Sequence, residues 1–411
     1  MPMEQATLSD SLAPRTREQL ATLMGISALY IGFGMTMGLI QGGFPAIMRA
    51  QGVSLGAVGW LYALYLPLGV AFLWAPLVDR WRPPLLPPRL AWIVPMQVLA
   101  ALTVAMVALL EGAAMGILFT MGLFVAFTMA TMDIALDGLA VERIHPVWRP
   151  RAAACKLGAL STGAMIGGGA FVALFHSYGW KAIFLCYATS LLLLVLPVLL
   201  MKEEPRAGLP NAVRRDAASL STLLRNPVQR KRLTLLTLAC CVIFPIAGLN
   251  RLMLLDLNVP IAQIGGIVGT LGPITMLITA VVSMPLMRWC GLPGALMAFT
   301  ALALLALAAM TVGFVRVLPW LAMSGTIVMG AAVSGIFVAL SARILGWSRG
   351  VQPATDYAAF YGVGRFASTL ATIAGAQMVG WISWPWFYAV GALALLIITG
   401  LLRAPMAEKD E

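Results

Sequence analysis

Long apolar runs recur throughout this chain and limit what it can fold into. Each run lasts about 20 residues, the length that an α-helix needs to cross the hydrocarbon core of a bilayer. Of the 411 residues, 61% are hydrophobic and only 10% are charged, whereas soluble domains carry about 25% charged residues. Because so much apolar surface cannot be hidden from water, the sequence predicts a polytopic, all-α membrane protein.

Twelve apolar runs can be delimited, and the sequence predicts one transmembrane helix for each. Their predicted limits are 21–47, 56–78, 90–110, 114–141, 153–176, 180–201, 233–256, 261–287, 294–314, 318–343, 354–380 and 384–402. The longest polar segment separates them into two sets of six. We therefore predict an N-terminal six-helix bundle over 1–201, a linker over 202–232 and a C-terminal six-helix bundle over 233–411.

Basic residues are distributed unevenly around the predicted spans. Most of the 27 Lys and Arg residues fall on segments that share one membrane side with both chain ends, which is the bias of cytoplasmic loops. We therefore expect both termini and the linker in the cytoplasm. The net charge of +11 is then explained by topology, and no nucleic-acid partner is expected.

Short sequence matches link the two predicted halves. The segment Pro76–Trp81 closes the second span, and Pro285–Trp289 closes the eighth in a similar way. Arg143 and Arg343, each followed by isoleucine, end the fourth and tenth spans. Both pairs are separated by about half of the chain, which predicts an internal repeat of six helices.

Two carboxylates, Asp133 and Asp137, lie inside the fourth apolar run. Four residues apart, they face the same side of a helix, about 6 Å apart along its axis. A charged group at the centre of a bilayer costs roughly 2.5–3.5 kcal/mol on insertion scales, so such residues mark water-filled paths, proton relays or cationic partners. We expect both acids to couple transport to protons. A structural hydrogen bond of Asp133 and a salt bridge of Asp137 are the alternatives.

Arg365 is the most deeply placed cation of the sequence. It lies about 16 Å into the eleventh span, close to mid-membrane. We expect it to bind an anionic substrate or to form a switchable pair with a carboxylate, with a fixed ion pair as the alternative. Tyr361, one helical turn earlier, is assigned to the same substrate-binding surface.

Four further residues are predicted to contact substrate. Arg251, late in the seventh span, is expected to attract anions at the outer mouth or to snorkel to the interface. Gln41 lies where two glycines and a proline interrupt the first span, and broken backbone at membrane depth must be buried in protein or line a cavity. Tyr62 and Tyr65 are expected to stack on a ring-containing ligand, with packing as the alternative.

Charged residues cluster at the expected cytoplasmic ends of the second, fourth and fifth spans. They predict a gate whose ion pairs form when the carrier faces outward and break when it faces inward. The residues of this predicted gate are Asp79, Arg80, Asp137, Glu142, Arg151 and Lys156.

Enzyme signatures are absent from the sequence. It contains no P-loop, no Gly-x-Ser-x-Gly and no His-Glu-x-x-His. Its five cysteines show no Cys-x-x-Cys spacing. We therefore expect no enzyme, cofactor or resident metal, and an ion gradient is the expected energy source.

Two six-helix halves joined by a cytoplasmic linker resemble the major facilitator superfamily. In that fold the substrate site lies near mid-membrane between the halves. Ala75, Leu77, Asp79 and Arg80 match the spacing of the superfamily's acidic–basic loop motif, whereas the segment 82–84 departs from it. The resemblance implies a latch role for Asp79.

The run Thr131–Glu142 resembles the fourth-span signature of one branch of this superfamily, and Ala354–Ala358 also resembles that branch. The branch contains muropeptide permeases of the AmpG type, acetyl-CoA transporters and siderophore permeases of the RhtX/FptX type. The segments Gly43–Ser54 and Leu73–Trp81 are most similar to the siderophore permeases.

The resemblance implies proton-driven import of a pyochelin- or rhizobactin-like ferric siderophore by alternating access. It places the protein in the bacterial inner membrane, and an outer-membrane receptor would supply the substrate. Two alternatives stay open: an AmpG-like muropeptide permease, and a PucC-like assembly protein for pigment complexes.

Overall fold

The computed structural model describes residues 16–81, 87, 89–145, 148–199, 225–347 and 353–407. The helices, numbered in chain order, are α1 (Thr16–Gly38), α2 (Phe44–Ala50), α3 (Leu55–Trp60), α4 (Leu66–Val70), α5 (Ala75–Arg80), α6 (Leu90–Ala108), α7 (Met115–Arg143), α8 (Arg149–Met165), α9 (Phe171–Leu193), α10 (Leu196–Leu199), α11 (Pro227–Gly248), α12 (Asn250–Asp256), α13 (Ile261–Gln263), α14 (Gly269–Val315), α15 (Pro319–Trp347) and α16 (Pro353–Ala407). Within these ranges the chain forms no strand.

Eight helical stretches of the described chain are long and apolar enough to cross a membrane. Three of them have about twice the length of one span, and each contains one residue with positive φ: Gly179, Gly291 and Ser383. The chain reverses at the first of these, because the rings of Phe171 and Tyr187 lie 5.8 Å apart, whereas a straight helix would separate them by about 24 Å. With the shorter apolar helix at 55–70, these breaks leave room for twelve spans, and that number stays a prediction.

The first and second apolar runs do not form uninterrupted helices. A π-helical turn at Leu39–Gly43 separates α1 from α2, so the predicted interruption of the first span is confirmed. The second run, predicted as one helix over 56–78, is divided by 3-10 turns at Leu61–Tyr65 and Ala71–Leu73. Pro67 at the start of α4 contributes to this division because it cannot donate a backbone hydrogen bond.

Glycines bring α8 and its following π-helical turn against α1. A methyl group on Gly163 would overlap the carbonyl of Ile31, and one on Gly167 would overlap the carbonyl of Met35. The two backbones are therefore in direct contact, as small residues permit in membrane helices. The close approach predicted from the Gly-x-x-x-Gly spacing is confirmed.

Helix α11 begins inside the predicted linker 202–232, at Pro227. The Asn226 side chain accepts hydrogen bonds from the backbone N–H groups of Val228 and Gln229 at 3.0 and 3.4 Å, which caps the helix. Its first turn is polar, so hydrophobicity alone did not reveal it. The rest of the linker, through residue 224, lies outside the described residues, and the division into two bundles stays a prediction.

Contacts around Asp256 define the two membrane sides of the molecule. Arg49 at the end of the first span pairs with this carboxylate at 2.7 Å, and Trp384 near the start of the last span donates to it at 2.9 Å. From there the first span runs back to Gln19 and the last runs on to Pro405. The described ends of the chain, Thr16 and Ala407, therefore lie on one side, called here the terminal side, and Asp256 lies on the opposite side.

Candidate functional site

Side-chain contacts join the two halves of the molecule at mid-membrane and on the opposite side. We call residues 16–199 the N-terminal half and residues 225–407 the C-terminal half. The hydrogen bonds described between them are Arg49 to Asp256 at 2.7 Å, Tyr62 to the Gly248 carbonyl at 2.8 Å, Arg251 to the Gly168 carbonyl at 2.5 Å and Gln377 to the Gly56 carbonyl at 2.7 Å.

Glycine backbones meet across the halves at the same level. A methyl group on Gly265 would overlap the backbone nitrogen of Ala173, and one on Gly269 would overlap the carbonyl of Gly168. These contacts leave no room for water between the segments. Together with the hydrogen bonds, they close the opposite side of the molecule.

Arg365 lies where the two halves face each other. It lies in the first part of α16, in the C-terminal half, yet its side chain is exposed. Its Cζ lies 5.6 Å from the ring centroid of Tyr65, in the N-terminal half. From this exposure and this contact we infer a cavity between the halves, lined by Arg365. Among the described residues the hydrogen bonds between the halves lie at mid-membrane and on the opposite side, from which we infer that this cavity opens to the terminal side.

The Arg365 guanidinium is available to a ligand. In the part of the chain that the structure describes, it makes no ion pair with a carboxylate. Its contact with Tyr65 is a cation–π interaction, which leaves the N–H donors in the guanidinium plane free. The fixed ion pair considered as an alternative is not observed within this part. Arg365 and Tyr65 are two predicted site residues that the structure brings together.

Three aromatic side chains of the C-terminal half, Phe244, Phe337 and Tyr361, pack in a row, and Tyr361 lies one helical turn before Arg365. The Tyr361 ring packs edge-on against Phe337, with centroids 5.7 Å apart, and Phe337 packs in the same way against Phe244 at 5.7 Å. All three side chains are partly exposed. Sequence reasoning found Tyr361 but missed both phenylalanines, because they come from α11 and α15 and share no spacing in the sequence.

Asp137 is held by two donors within the N-terminal half. The Lys156 ammonium lies 2.5 Å from its Oδ1, and the Tyr30 hydroxyl donates to the same oxygen. Lys156 also lies 4.6 Å from the centroid of the Tyr30 ring. The Asp137 and Lys156 side chains are 51% and 37% exposed, so this cluster faces the open cavity. Tyr30 was not predicted, because an isolated tyrosine in an apolar helix gives no sequence signal.

Asp133, one turn deeper on α7, lacks such partners. Its Oδ1 is buried and has no hydrogen-bond partner among the described residues. The structural hydrogen bond considered for Asp133 is therefore not observed at this atom. Asp137, Lys156 and Arg365 lie within electrostatic range of Asp133.

Arg251 contacts the other half in this state. Its guanidinium donates to the Gly168 carbonyl, and the position of a Cβ on Gly42 would lie 2.7 Å from its Cζ. The side chain thus fills a space left by glycines of the other half. In this state Arg251 joins the two halves through two glycine-rich π-helical turns, and its expected role at the outer mouth stays a prediction.

Of two further predicted substrate contacts, Tyr62 is buried and Gln41 is exposed. Tyr62 is only 6% exposed, and its hydroxyl donates to the Gly248 carbonyl. Its ring is therefore packed in this state, which was the alternative considered, and contact with a ring-containing ligand stays a prediction. Gln41 is exposed although its neighbour Gly42 is buried. Its amide therefore stays a candidate for contact with substrate.

Glu142 of the predicted gate forms a different ion pair from the one expected. Its Oε1 accepts from Arg89 Nη2 at 2.7 Å and from Nε at 3.0 Å. Lys156, Arg151 or Arg82 was the expected partner, and Arg82 lies outside the described residues. Because Arg89 precedes α6, which packs beside α7, the Glu142–Arg89 pair joins neighbouring helices of one half and cannot seal a gap between the halves.

The remaining gate residues are only partly described. The Arg151 guanidinium lies 4.8 Å from the Trp148 ring centroid. Asp79 and Arg80 end α5, but their side chains lie outside the described part of the structure. The gate therefore stays a prediction.

A helical bundle with a charged cavity between two halves, closed on one side and open on the other, is the arrangement of a membrane transporter. The sequence profile of the Major Facilitator Superfamily matches residues 26–312. The chain belongs to this superfamily, and the predicted fold class is confirmed.

Two relatives are similar over part of the chain. An uncharacterized protein of Haemophilus influenzae is 27% identical over 202 residues, which cover 48% of this chain and 47% of that protein. An anhydromuropeptide permease of Escherichia coli strain K12 is 26% identical over 179 residues, which cover 43% of this chain and 36% of the permease. The matched region therefore spans less than half of either relative.

Solved structures share the fold across nearly the whole chain. The nucleoside transporter NupG has a TM-score of 0.68 at 14% identity and covers 95% of this chain and 100% of its own. A bacterial homolog of the human lysosomal transporter Spinster, in an inward-facing and unoccupied conformation, has a TM-score of 0.65 at 14% identity, with 96% of both chains covered. At this identity the likeness concerns the fold alone.

Proposed function

We propose that the protein imports a ferric siderophore across the bacterial inner membrane, driven by protons and working by alternating access. In this proposal the terminal side faces the cytoplasm, as the distribution of Lys and Arg in the sequence favours. The cavity then stands in its inward-facing state. An outer-membrane receptor would deliver the substrate to the opposite side.

The observation that carries the proposal is the exposed guanidinium of Arg365 at mid-membrane. Arginine presents a planar fork of N–H donors that matches a carboxylate, which favours an anionic substrate. The wall formed by Phe244, Phe337 and Tyr361 suits a ring-containing substrate, since aromatic rings stack or pack edge-on. A pyochelin- or rhizobactin-like siderophore combines anionic groups with ring or hydrocarbon parts.

Proton coupling is assigned to the acids of α7. Asp133 and Asp137 lie beside the cavity in a membrane-spanning helix, where ionisable residues serve as proton relays. Because the cavity is open on the terminal side in this state, both acids can exchange protons with the water that enters from there. Closure of that side would then trap the protonation state together with the substrate.

Uptake of radiolabelled iron, supplied as ferric pyochelin or ferric rhizobactin, tests the proposal in cells that lack other importers of these siderophores. We expect uptake that depends on this protein and is abolished by a protonophore. Arg365→Ala should abolish uptake, and Arg365→Lys should restore only part of it because lysine lacks the planar fork. Arg316→Ala, at an exposed arginine beyond α14, is the matched control. Equal uptake with and without the protein would overturn the siderophore assignment.

A second candidate substrate is an anhydromuropeptide. The partial similarity to the Escherichia coli anhydromuropeptide permease favours it, and muropeptides also carry carboxylates that Arg365 would bind. The same cells should then take up a labelled anhydromuropeptide and not ferric siderophore. Competition between the two probes would show which one occupies the Arg365 site.

A further inference from the structure

Four charged side chains from the two halves meet around the cavity. Asp133, Asp137 and Lys156 come from the N-terminal half, and Arg365 comes from the C-terminal half. Two are acidic and two are basic, so the empty cluster is neutral when all four are ionised. The two acids nevertheless differ in their hydrogen bonds.

We infer that Asp133 carries the transported proton while Lys156 keeps Asp137 ionised, so that one proton enters in each transport cycle and balances one negative charge of the substrate. This inference rests on the proposed function and deepens it. It assigns different tasks to two acids that the sequence leaves equivalent, and it predicts how many protons accompany an anion.

Asp137 is unsuited to carry the proton because its carboxylate is already compensated. The Lys156 ammonium and the Tyr30 hydroxyl both donate to its Oδ1. A proton on Asp137 would replace a charge-assisted hydrogen bond with a weaker one and leave the Lys156 charge without its counterion. The ion pair therefore holds Asp137 in its charged form.

Asp133 has the opposite surroundings. Its Oδ1 is buried and receives no hydrogen bond from any described residue. Asp133 as a whole is half-buried, but a buried carboxylate oxygen without a donor makes the charged form costly, and a proton removes that charge. The charged and titratable groups that act on it are Asp137 on its own helix, Tyr30 on the first span, Lys156 on the fifth and Arg365 on the eleventh.

Charge balance then links the proton to the substrate. An anionic group bound to Arg365 engages the cation that otherwise compensates Asp133 from the other half. The cluster then has one negative charge in excess, which becomes costly when closure removes water from the cavity. A proton on Asp133 restores neutrality. Transport of a substrate with one negative charge is therefore electroneutral and responds to the pH gradient rather than to the membrane potential.

The Lys156–Asp137 ion pair predicts that substitutions of its two residues have non-additive effects on the protonation of Asp133. Asp137→Asn removes the partner of Lys156, and the released ammonium can turn to Asp133, one helical turn away on the same face. Asp133 would then be held in its charged form. Asp137→Asn combined with Lys156→Met removes the released cation as well, so the double variant should behave more like the wild type than the single variant.

Labelling with dicyclohexylcarbodiimide tests the inference without any substrate. This apolar reagent modifies carboxyl groups in their protonated form, and fragmentation of labelled peptides by mass spectrometry distinguishes the two acids. In purified full-length protein labelled at successively lower pH, we expect label to appear on Asp133 at a higher pH than on Asp137, because Lys156 and Tyr30 hold only Asp137 in its charged form. Label mainly on Asp137, or on both acids equally, would overturn the division of roles. Asp137→Asn should reduce Asp133 labelling about tenfold, as a new charge-assisted hydrogen bond implies, and the added Lys156→Met should restore it.

Flux measurements separate failure of this inference from failure of the proposed function. Proteoliposomes are loaded with ferric pyochelin or an anhydromuropeptide, and exchange of labelled probe is measured without a pH gradient. Exchange by the wild type supports transport itself. We expect Asp133→Asn to keep exchange but to lose accumulation driven by a pH gradient. Gradient-driven accumulation by Asp133→Asn would overturn the inference and leave the transporter proposal standing, whereas absence of exchange with both probes in the wild type would overturn both.

Discussion

Both sides of the cavity contain ion pairs between basic and acidic side chains, but the pairs connect different parts of the molecule. On the opposite side, Arg49 and Asp256 form their ion pair across the halves, and Arg251 donates to a carbonyl of the other half. On the terminal side, Arg89 and Glu142 pair within one half, as do the Lys156 and Asp137 side chains. The state of the transporter is thus determined by which charges bond across the halves, rather than by how many charges each side has.

A transporter that alternates between two states needs them to be close in free energy. Contacts between the halves on the opposite side favour the state described here, and each of them must break when the cavity opens there. A change of about 1.4 kcal/mol in such a contact alters the ratio of the two states tenfold. Each cross-half contact can therefore be tested by its effect on that ratio.

The largest effect is expected from Gly265→Ala. The added methyl group would overlap the Ala173 backbone of the other half, and overpacking of this kind costs about 1–3 kcal/mol. The opposite side can then no longer close fully, and the carrier should open there. In a variant without native cysteines, a cysteine at Tyr361 should become roughly 5- to 150-fold more reactive towards an impermeant maleimide added on the opposite side.

Gly272→Ala is the matched control for this substitution. A methyl group on Gly272 would meet no atom within 4 Å, and it changes helix propensity by the same amount. Its labelling should equal that of the parent protein. Equal labelling in Gly265→Ala as well would show that the glycine contact does not hold the halves together.

A smaller shift in the ratio of the two states is expected from Arg49→Gln. The change removes the charge-assisted hydrogen bonds to Asp256, which contribute about 1–2 kcal/mol at this partly exposed site. Labelling of the Tyr361 cysteine from the opposite side should increase about tenfold. The reversed pair, Arg49→Asp with Asp256→Arg, should recover part of the closure, and Arg316→Gln serves as control. No recovery in the reversed pair would assign the effect to local packing.

The smallest shift is expected from Tyr62→Phe. It removes one hydrogen bond to the Gly248 carbonyl but keeps the ring, and a neutral hydrogen bond contributes about 0.5–1.5 kcal/mol. Labelling from the opposite side should increase two- to tenfold, roughly. Tyr65→Phe should leave it unchanged, because Tyr65 contacts Arg365 through its ring. A larger effect of Tyr65→Phe would reverse the assignment of the two tyrosines.

Features encoded by one segment were predictable from the sequence. The π-helical turn around Gln41 follows from adjacent glycines, and the close contact at Gly163 follows from residue spacing within one helix. The depth of Arg365 follows from its distance to the end of its apolar run, and its exposure in the structure agrees with a site between the halves.

Features that join separate helices were not predictable. Glu142 pairs with Arg89 rather than with the cations that follow it in sequence, and Tyr30 reaches Asp137 from the first span. The contact of Arg251 with the Gly168 carbonyl of the other half was likewise not foreseen, because depth does not determine which neighbour a side chain meets. Such partners depend on how helices rotate and pack, and hydropathy contains no information about that.

Paired distance measurements by double electron–electron resonance test the central claim, that the two sides open alternately. One pair of spin labels replaces Gln51 and Gln263 on the opposite side, and the other replaces Ala153 and Arg230 on the terminal side. Without substrate we predict a short distance for the first pair and a long distance for the second, and Gly265→Ala should lengthen the first while it shortens the second. Distances that change in the same direction, or a change in one pair alone, would contradict the account.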